Sequence, residues 1–261
     1  MASVSMAAGD INTLVSAYVW PFFRVAGLVA AAPIFGIQFV PAQVKVVMAL
    51  AITVLVVPLL PAAPTVPLIS LQALLILLQQ VLIGLSLGVV MNFLFNIFVV
   101  GGQLIATNMG LGYATVVDPQ SGVAVPVLSQ FYVYLTSLMF LSLNGHLVLI
   151  EVLANSFTSM PVGVEGMQRE MLWQMVHWAG EIFRGGLLLA LPALAALLLV
   201  NVALGVVMRA APQFNIMSIG FPITLTIGFV LVMISLPALV PLFTRSLMDS
   251  FEFINRVFIG T

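Results

Sequence analysis

The sequence predicts an all-α membrane protein of long, kinked helical hairpins, with residues 1–261 forming one helical subunit and no separate soluble domain. Three observations predict it. Of 261 residues, 62% are hydrophobic and 6% charged, whereas a soluble domain carries about a quarter charged residues. No charged residue lies between Lys45 and Asp118, or between Arg209 and Arg245, and about 20 apolar residues suffice for a transmembrane helix. Prolines and glycines, rather than charged linkers, punctuate the apolar runs.

The charge balance removes several function classes. Seven basic and eight acidic residues leave a net charge of -1, so no basic field exists for nucleic acid or a phosphate-rich substrate. The absence of cysteine excludes disulfides, thiol nucleophiles and thiolate metal sites. The opening MASVSMAAGDIN lacks the basic n-region of a signal peptide. It reads as a mature N-terminus, with the first apolar helix as the targeting element.

The first helix is expected from Ile11 to Phe35, strained by Pro21 and stopped near Pro33. A second follows from Ala42 to Leu60, entered after Pro41, before the cluster PLLPAAPTVP forces a turn. From Leu68 to Gln103 the chain is helix-permissive and uncharged. At 1.5 Å per residue this makes about 50 Å of helix, against a hydrocarbon core of about 30 Å. Either it breaks near Gly101-Gly102, or it is one long helix whose surplus is covered by protein. Pro126 to Phe157 reads as a single helix, ending at the turn SMPVGVEG. Glu170, Gln174, His177, Glu181 and Arg184 then recur at helical spacing. Gly185 to Met208 is apolar and kinked at Pro192, and RAAPQFN interrupts it. Ile216 to Leu239 follows, with Pro222 and Pro237 as kinks or boundaries. The tail, Phe243 to Phe258, carries an apolar stripe opposite the i,i+4 pairs Arg245/Asp249 and Glu252/Arg256. The few basic residues flank successive runs at both ends, so the positive-inside rule sets no orientation.

Few polar residues stand in a pattern that could carry chemistry. GLGYAT fits GxGxxT, but a nucleotide fingerprint needs a preceding strand and a following helix, so it reads as a turn. His177 and Glu181 share a helical face, yet Arg184 lies one turn on to neutralise Glu181, and a polar face with an ion pair is the simpler reading. His146 and Glu151 sit near one helix and would suit a proton relay, although a polar helix end is the simpler reading. No nucleophile has a base at hand, so no catalytic residue, metal site or cofactor is expected.

Gly84 and Gly88 make a GxxxG, which lets another helix approach. Gly88, Asn92, Asn96, Gln103 and Thr107 continue within an arc of about 100° at 3.6 residues per turn. Such amides glue helices together or line a wet lumen without the cost of buried charge. The stripe runs into TNMGLGYATVVDPQSG, residues 107–122, which holds the first acidic residue after Asp10. Here Gly110, Gly112 and Gly122 free the backbone, and Asp118-Pro119 favours a fixed turn. Met109, Leu111, Tyr113, Val116 and Val117 supply apolar bulk suited to sealing a pore. Asn108, Ala114, Thr115, Gln120 and Ser121 complete the segment without adding charge.

GLGYATVVDPQSG at 110–122, NGH at 144–146 and RAAPQFNIMSIGFP at 209–222 resemble the FliR family, the R-subunits of the flagellar type III protein-export gate, with relatives in virulence injectisomes. In the last motif Arg209, Pro212, Gln213, Gly220 and Pro222 carry the likeness. It covers essentially the whole chain, from WPFFRVAGLVAAAPIFG and VPAQVKVVMALAITVLVVPLLP onward, but not the Val162–Gly166 turn or the tail. The resemblance implies a fusion of P-like and Q-like helical hairpins built for a helical hetero-oligomer. One copy would join P- and Q-subunits, together with FlhB- and FlhA-type export components, and unfolded flagellar proteins would pass through the core. By position, the family's internal plug falls on Asn108–Gly122. The implied place is the bacterial inner membrane, within the flagellar basal body, in contact with lipid and with its core projecting toward the periplasm. The role is not enzymatic. The alternatives are a small-solute secondary transporter binding at Asn92, Asn96 and Gln103, and the homologous injectisome subunit.

Overall fold

Eight helices and one hairpin carry the described part of the computed structural model, residues 2–36, 40–61, 64, 66–67, 70–118, 122–164, 166–210 and 216–260. The helices are α1 (Ala2–Ala31), α2 (Ala42–Val56), α3 (Leu71–Asn108), α4 (Val127–Ser142), α5 (Gly145–Ser159), α6 (Arg169–Trp178), α7 (Gly180–Ala210) and α8 (Ile216–Ile254). Strands β1 (Thr115–Val117) and β2 (Ala124–Pro126) pair between α3 and α4. Among the described residues, four helical stretches are long and apolar enough to cross a membrane: 42–59, 71–108, 169–210 and 220–259. The chain is an all-α membrane protein.

Local chemistry explains most boundaries. α1 starts earlier than Ile11 and stops at Ala31 rather than Phe35. Pro33 has no N–H to continue the ladder and disfavours the helical conformation of the residue before it. α2 begins after Pro41, whose extended backbone serves as its cap. At the start of α3, the Ser70 hydroxyl accepts from the Ala73 N–H at 3.1 Å, which satisfies one orphan donor of the first turn.

α3 does not break at Gly101-Gly102. It runs unbroken for 38 residues, about 57 Å. A Cβ on Gly101 would run into Leu189 of α7, and one on Gly102 would lie 2.7 Å from the Ser129 Cα of α4. The glycines are contact points for two neighbours rather than a hinge. Half of α3's most apolar window is buried within the chain, against 17–22% for the other three stretches, so α3 is the most covered of the four.

Two other expectations are corrected. Residues 126–157 form two helices instead of one, because the chain leaves the helix at Leu143 and Asn144 adopts φ 57° before Gly145 opens α5. Asparagine is among the few residues that tolerate that left-handed region. Conversely, α8 passes through Pro222, Pro237 and Pro241 to Ile254, so the tail is no separate element. Each proline costs one rung, but in an apolar setting the remaining rungs are worth more than exposed peptide groups. The polar spacing from Glu170 to Arg184 is likewise divided between α6 and α7 at Ala179.

The chain divides into two compact units. The first comprises residues 1–92, 144–178 and 250–261. Trp20, Val66, Ala73 and Ile76 form one core cluster there. Arg24 of α1, fully buried, ties three elements together. Its Nε donates to Gln80 Oε1 at 2.8 Å, and its Nη1 donates to the Ser156 carbonyl (2.8 Å) and hydroxyl (3.1 Å). Its Nη2 reaches the Met160 carbonyl at 2.8 Å, and the guanidinium lies 4.0 Å from the Phe157 ring centroid. Among the described residues, no carboxylate takes part. The charge is met by the last carbonyls of α5, the negative end of that helix's dipole. In the same unit Trp178 stacks on Phe253, with ring centroids 4.4 Å apart.

The second unit comprises residues 93–143 and 179–249. The C-terminal half of α3 is its axis. Phe95 meets Phe140 of α4 edge-on at 5.7 Å, and Phe98 lies 5.6 Å from Phe243 of α8. Gly185 and Gly186 bring α7 against Ile97 and Val100.

Candidate functional site

The segment after α3 is a built structure. At the helix end, Thr107 Oγ1 donates to the Gln103 carbonyl at 2.8 Å and Asn108 Nδ2 to the Leu104 carbonyl at 2.9 Å, each one turn back, while the Met109 N–H caps the Ile105 carbonyl at 3.0 Å and the Gly110 N–H the Thr107 carbonyl at 3.1 Å. Gly110 then takes φ 85°, the left-handed conformation that terminates many helices. A side chain there would also press on the Phe221 ring of α8. Just before it, Met109 is fully buried in a notch left by Gly228 of α8, where a Cβ would overlap its side chain. The base of the segment is thereby fixed to α8.

Leu111–Tyr113 make one 3₁₀ turn, and β1 and β2 follow in antiparallel register: Thr115 opposite Pro126, Val116 opposite Val125, Val117 opposite Ala124. Ala114 accepts from the Val127 N–H at 3.0 Å, and the Asp118 N–H donates to Val123 at 2.9 Å. The Gly122 N–H donates to the Asp118 carbonyl at 2.8 Å, with Gly122 at φ 67°. Asp118 is buried. Pro119, Gln120 and Ser121 lie outside the described residues. The apolar residues divide by position: Met109 and Val125 are buried, whereas Val116, Val117 and Val123 are exposed. Leu111 is half-buried, and the Tyr113 side chain is outside the described set.

The polar stripe is split between the two units. Asn92 Nδ2 donates to the Ala31 carbonyl of α1 at 3.3 Å. Asn96 is half-buried, while Gln103 and Thr107 are exposed. Gly84 and Gly88 lie where α1 and α3 come closest: a Cβ on Gly84 would overlap the Arg24 carbonyl, and one on Gly88 would sit 2.7 Å from the Ala31 Cβ. Of the third motif, Arg209 is exposed in the last turn of α7. Gly220 is buried and Pro222 exposed in the first turns of α8, and Pro212 and Gln213 are outside the described residues.

The remaining polar candidates stay apart. His146 is half-buried and Glu151 exposed on α5. His177 is exposed, its ring 5.1 Å from that of Trp173. Arg184 pairs with Glu181 at 2.9 Å. The tail pairs do not close: Arg256 faces the Phe253 ring instead, at 5.9 Å. Sequence reasoning missed three features: Arg24, the two strands and the Asn144 break. Each left a signal, namely a lone charge in the apolar run WPFFRVAGL, the runs TVV and VAV on either side of DPQSG, and an Asn-Gly dipeptide.

Comparison with known proteins bears on what this arrangement serves. Residues 15–250 match the family described as "Bacterial export proteins, family 1". The flagellar biosynthetic protein FliR of Escherichia coli is 40% identical over 224 residues, covering 86% of this chain and 85% of the relative. FliR of Pectobacterium carotovorum is 37% identical over 248 residues, 95% of each chain. FliR of Aquifex aeolicus is 28% identical over 231 residues, 88% of this chain and 89% of the relative. Likeness of this extent, running through both compact units and across the hairpin, places the chain in the bacterial export protein family 1, among its FliR-type members.

Proposed function

We propose that this chain is the structural and gating subunit of a flagellar type III export gate, helping to form the channel through which unfolded flagellar proteins leave the cytoplasm. The observation that carries the reading is the hairpin at the end of α3. It is clamped at its base by Met109 in the Gly228 notch and Gly110 against Phe221, and it presents Val116, Val117 and Val123 outward. A compact apolar cap on a fixed base is what an internal plug over Asn108–Gly122 requires. Exposed Gln103 and Thr107 beside it suit a lumen or a subunit contact. Neighbouring P- and Q-subunits would cover the faces of α2, α7 and α8 that stay exposed, and the length of α3 beyond about 30 Å of hydrocarbon. FlhB- and FlhA-type components would dock on the assembled core in the inner membrane at the basal body. The role is that of a conduit without catalysis.

The flagellar reading is favoured over the injectisome one by the FliR names of the relatives. The transporter reading loses support because the Asn92 amide is committed to α1. Deleting residues 110–122 from the assembled gate tests the plug: cells should leak small ions across the inner membrane while the complex still assembles. Ion-tight cells with normal assembly would remove the assignment.

A further inference from the structure

The hairpin has one open edge and one blunted edge. Bonds between Val127 and Ala114 and between Asp118 and Val123 fix which peptide groups face inward, and Val116 opposite Val125 lies midway between them. Bonded and non-bonded pairs alternate along an antiparallel ladder. Ala114, Val116 and Asp118 therefore turn their peptide groups toward β2, while Thr115 and Val117 turn theirs outward. This leaves two N–H donors and two carbonyl acceptors on exposed residues, with no backbone partner among the described residues. The opposite edge lacks a full set, since Pro126 has no N–H.

Proteins usually protect such an edge with a lysine, a bulge or a covering element. Thr115, Val116 and Val117 carry no charge, and no bulge interrupts their register. We propose that the β1 edge takes an extended segment of a polypeptide in transit as an added third strand. The proposal rests on the gate reading above and names the partner of that same hairpin. Strand addition draws its affinity from main-chain hydrogen bonds, so it accepts the varied sequences that unfolded export substrates present. Four outward groups make a short contact, which suits a chain that must keep moving. Folded partners hold their own backbone groups paired, so an unfolded chain is the fitting occupant.

Val117→Pro is the first test, because it removes an outward donor and leaves the inward ladder complete. In flagellated cells it should lower secretion of filament protein at least fivefold while the membrane stays ion-tight, and Val117→Thr should secrete normally. Normal secretion from Val117→Pro would overturn the proposal. Should the proline impair assembly, disulfide mapping decides. The chain has no cysteine of its own, so Val116→Cys offers one thiol to a filament-protein substrate stalled by a tightly folded C-terminal domain and carrying single cysteines at successive positions. Cross-linking at every second substrate position supports strand addition. Uniform cross-linking, or capture of a neighbouring gate subunit instead, overturns it. Failure of the gate reading itself is distinguishable: no substrate position would cross-link, and deletion of 110–122 would leave cells ion-tight.

Discussion

Replacing Arg24 by methionine tests the tie that holds α1, α3 and α5 together. Methionine keeps much of the volume but removes every donor. Gln80 Oε1 and the carbonyls of Ser156 and Met160 then lose bonds of 2.8 Å each. At about 1.5–3 kcal/mol for a hydrogen bond to a charged group, the gross loss is about 5–9 kcal/mol. Against this stands relief from burying a guanidinium, worth several kcal/mol. The net cost is about 2–4 kcal/mol, concentrated at the end of α5. Hydrogen exchange on the purified complex reads it directly: the Met160 amide, bonded to the Ser156 carbonyl at 3.0 Å, should exchange about 30-fold faster or more, at 1.4 kcal/mol per tenfold. Arg24→Lys should fall well short of full rescue, because an ammonium cannot reproduce the planar fork across three acceptors. Unchanged protection at Met160 in Arg24→Met would refute the reasoning, and full rescue by lysine would show that charge alone matters.

Three further outcomes follow from the geometry. Gly228→Leu should evict Met109 from its notch and loosen the hairpin base, giving an ion leak smaller than that of the 110–122 deletion; conductance of cells bearing the assembled gate checks it. Asn144→Ala should destabilise the α4–α5 break by about 1 kcal/mol, since alanine resists positive φ, whereas Asn144→Gly should not; denaturant midpoints of the purified protein compare the two. Glu181→Gln should change stability by less than about 0.5 kcal/mol and leave secretion intact, because the Glu181–Arg184 pair is solvent-screened; motility in soft agar and thermal unfolding report on both.

Composition announces the membrane class and the uncharged run that becomes α3, since a helix without charge needs only length to be recognised. The fate of Gly101-Gly102 is hidden from the chain itself. Whether a glycine pair is a hinge or a contact depends on what lies against it, and here Leu189 and Ser129 arrive from distant segments. Pro222, Pro237 and Pro241 mislead for a related reason: propensity describes a helix in water, and in apolar surroundings the cost of releasing peptide groups reverses the outcome. The hairpin was visible in TVV, DPQSG and VAV, but a long helical context on both sides favoured reading it as a loop. Arg24 is illegible in the sequence because one charge in an apolar run gives no hint of its partners, which lie 56 to 136 residues away. The plug assignment to 108–122 rests on resemblance; the form of the described residues there comes from β1 and its register with β2.

The emptiness of charge around α3 bears on the forces that are able to move the hairpin. Strictly between Lys45 and Glu151 the only formal charge is that of Asp118. A membrane potential does work only on charge, about 2.3 kcal/mol per 100 mV for one elementary charge carried across the full field. A segment with a single carboxylate, shifting through a fraction of that field, therefore collects well under this amount. Voltage-sensing helices gather several arginines to be opened electrically; α3 and its hairpin have none. A membrane potential has almost no grip on this element, so any force able to displace it has to act through direct contact.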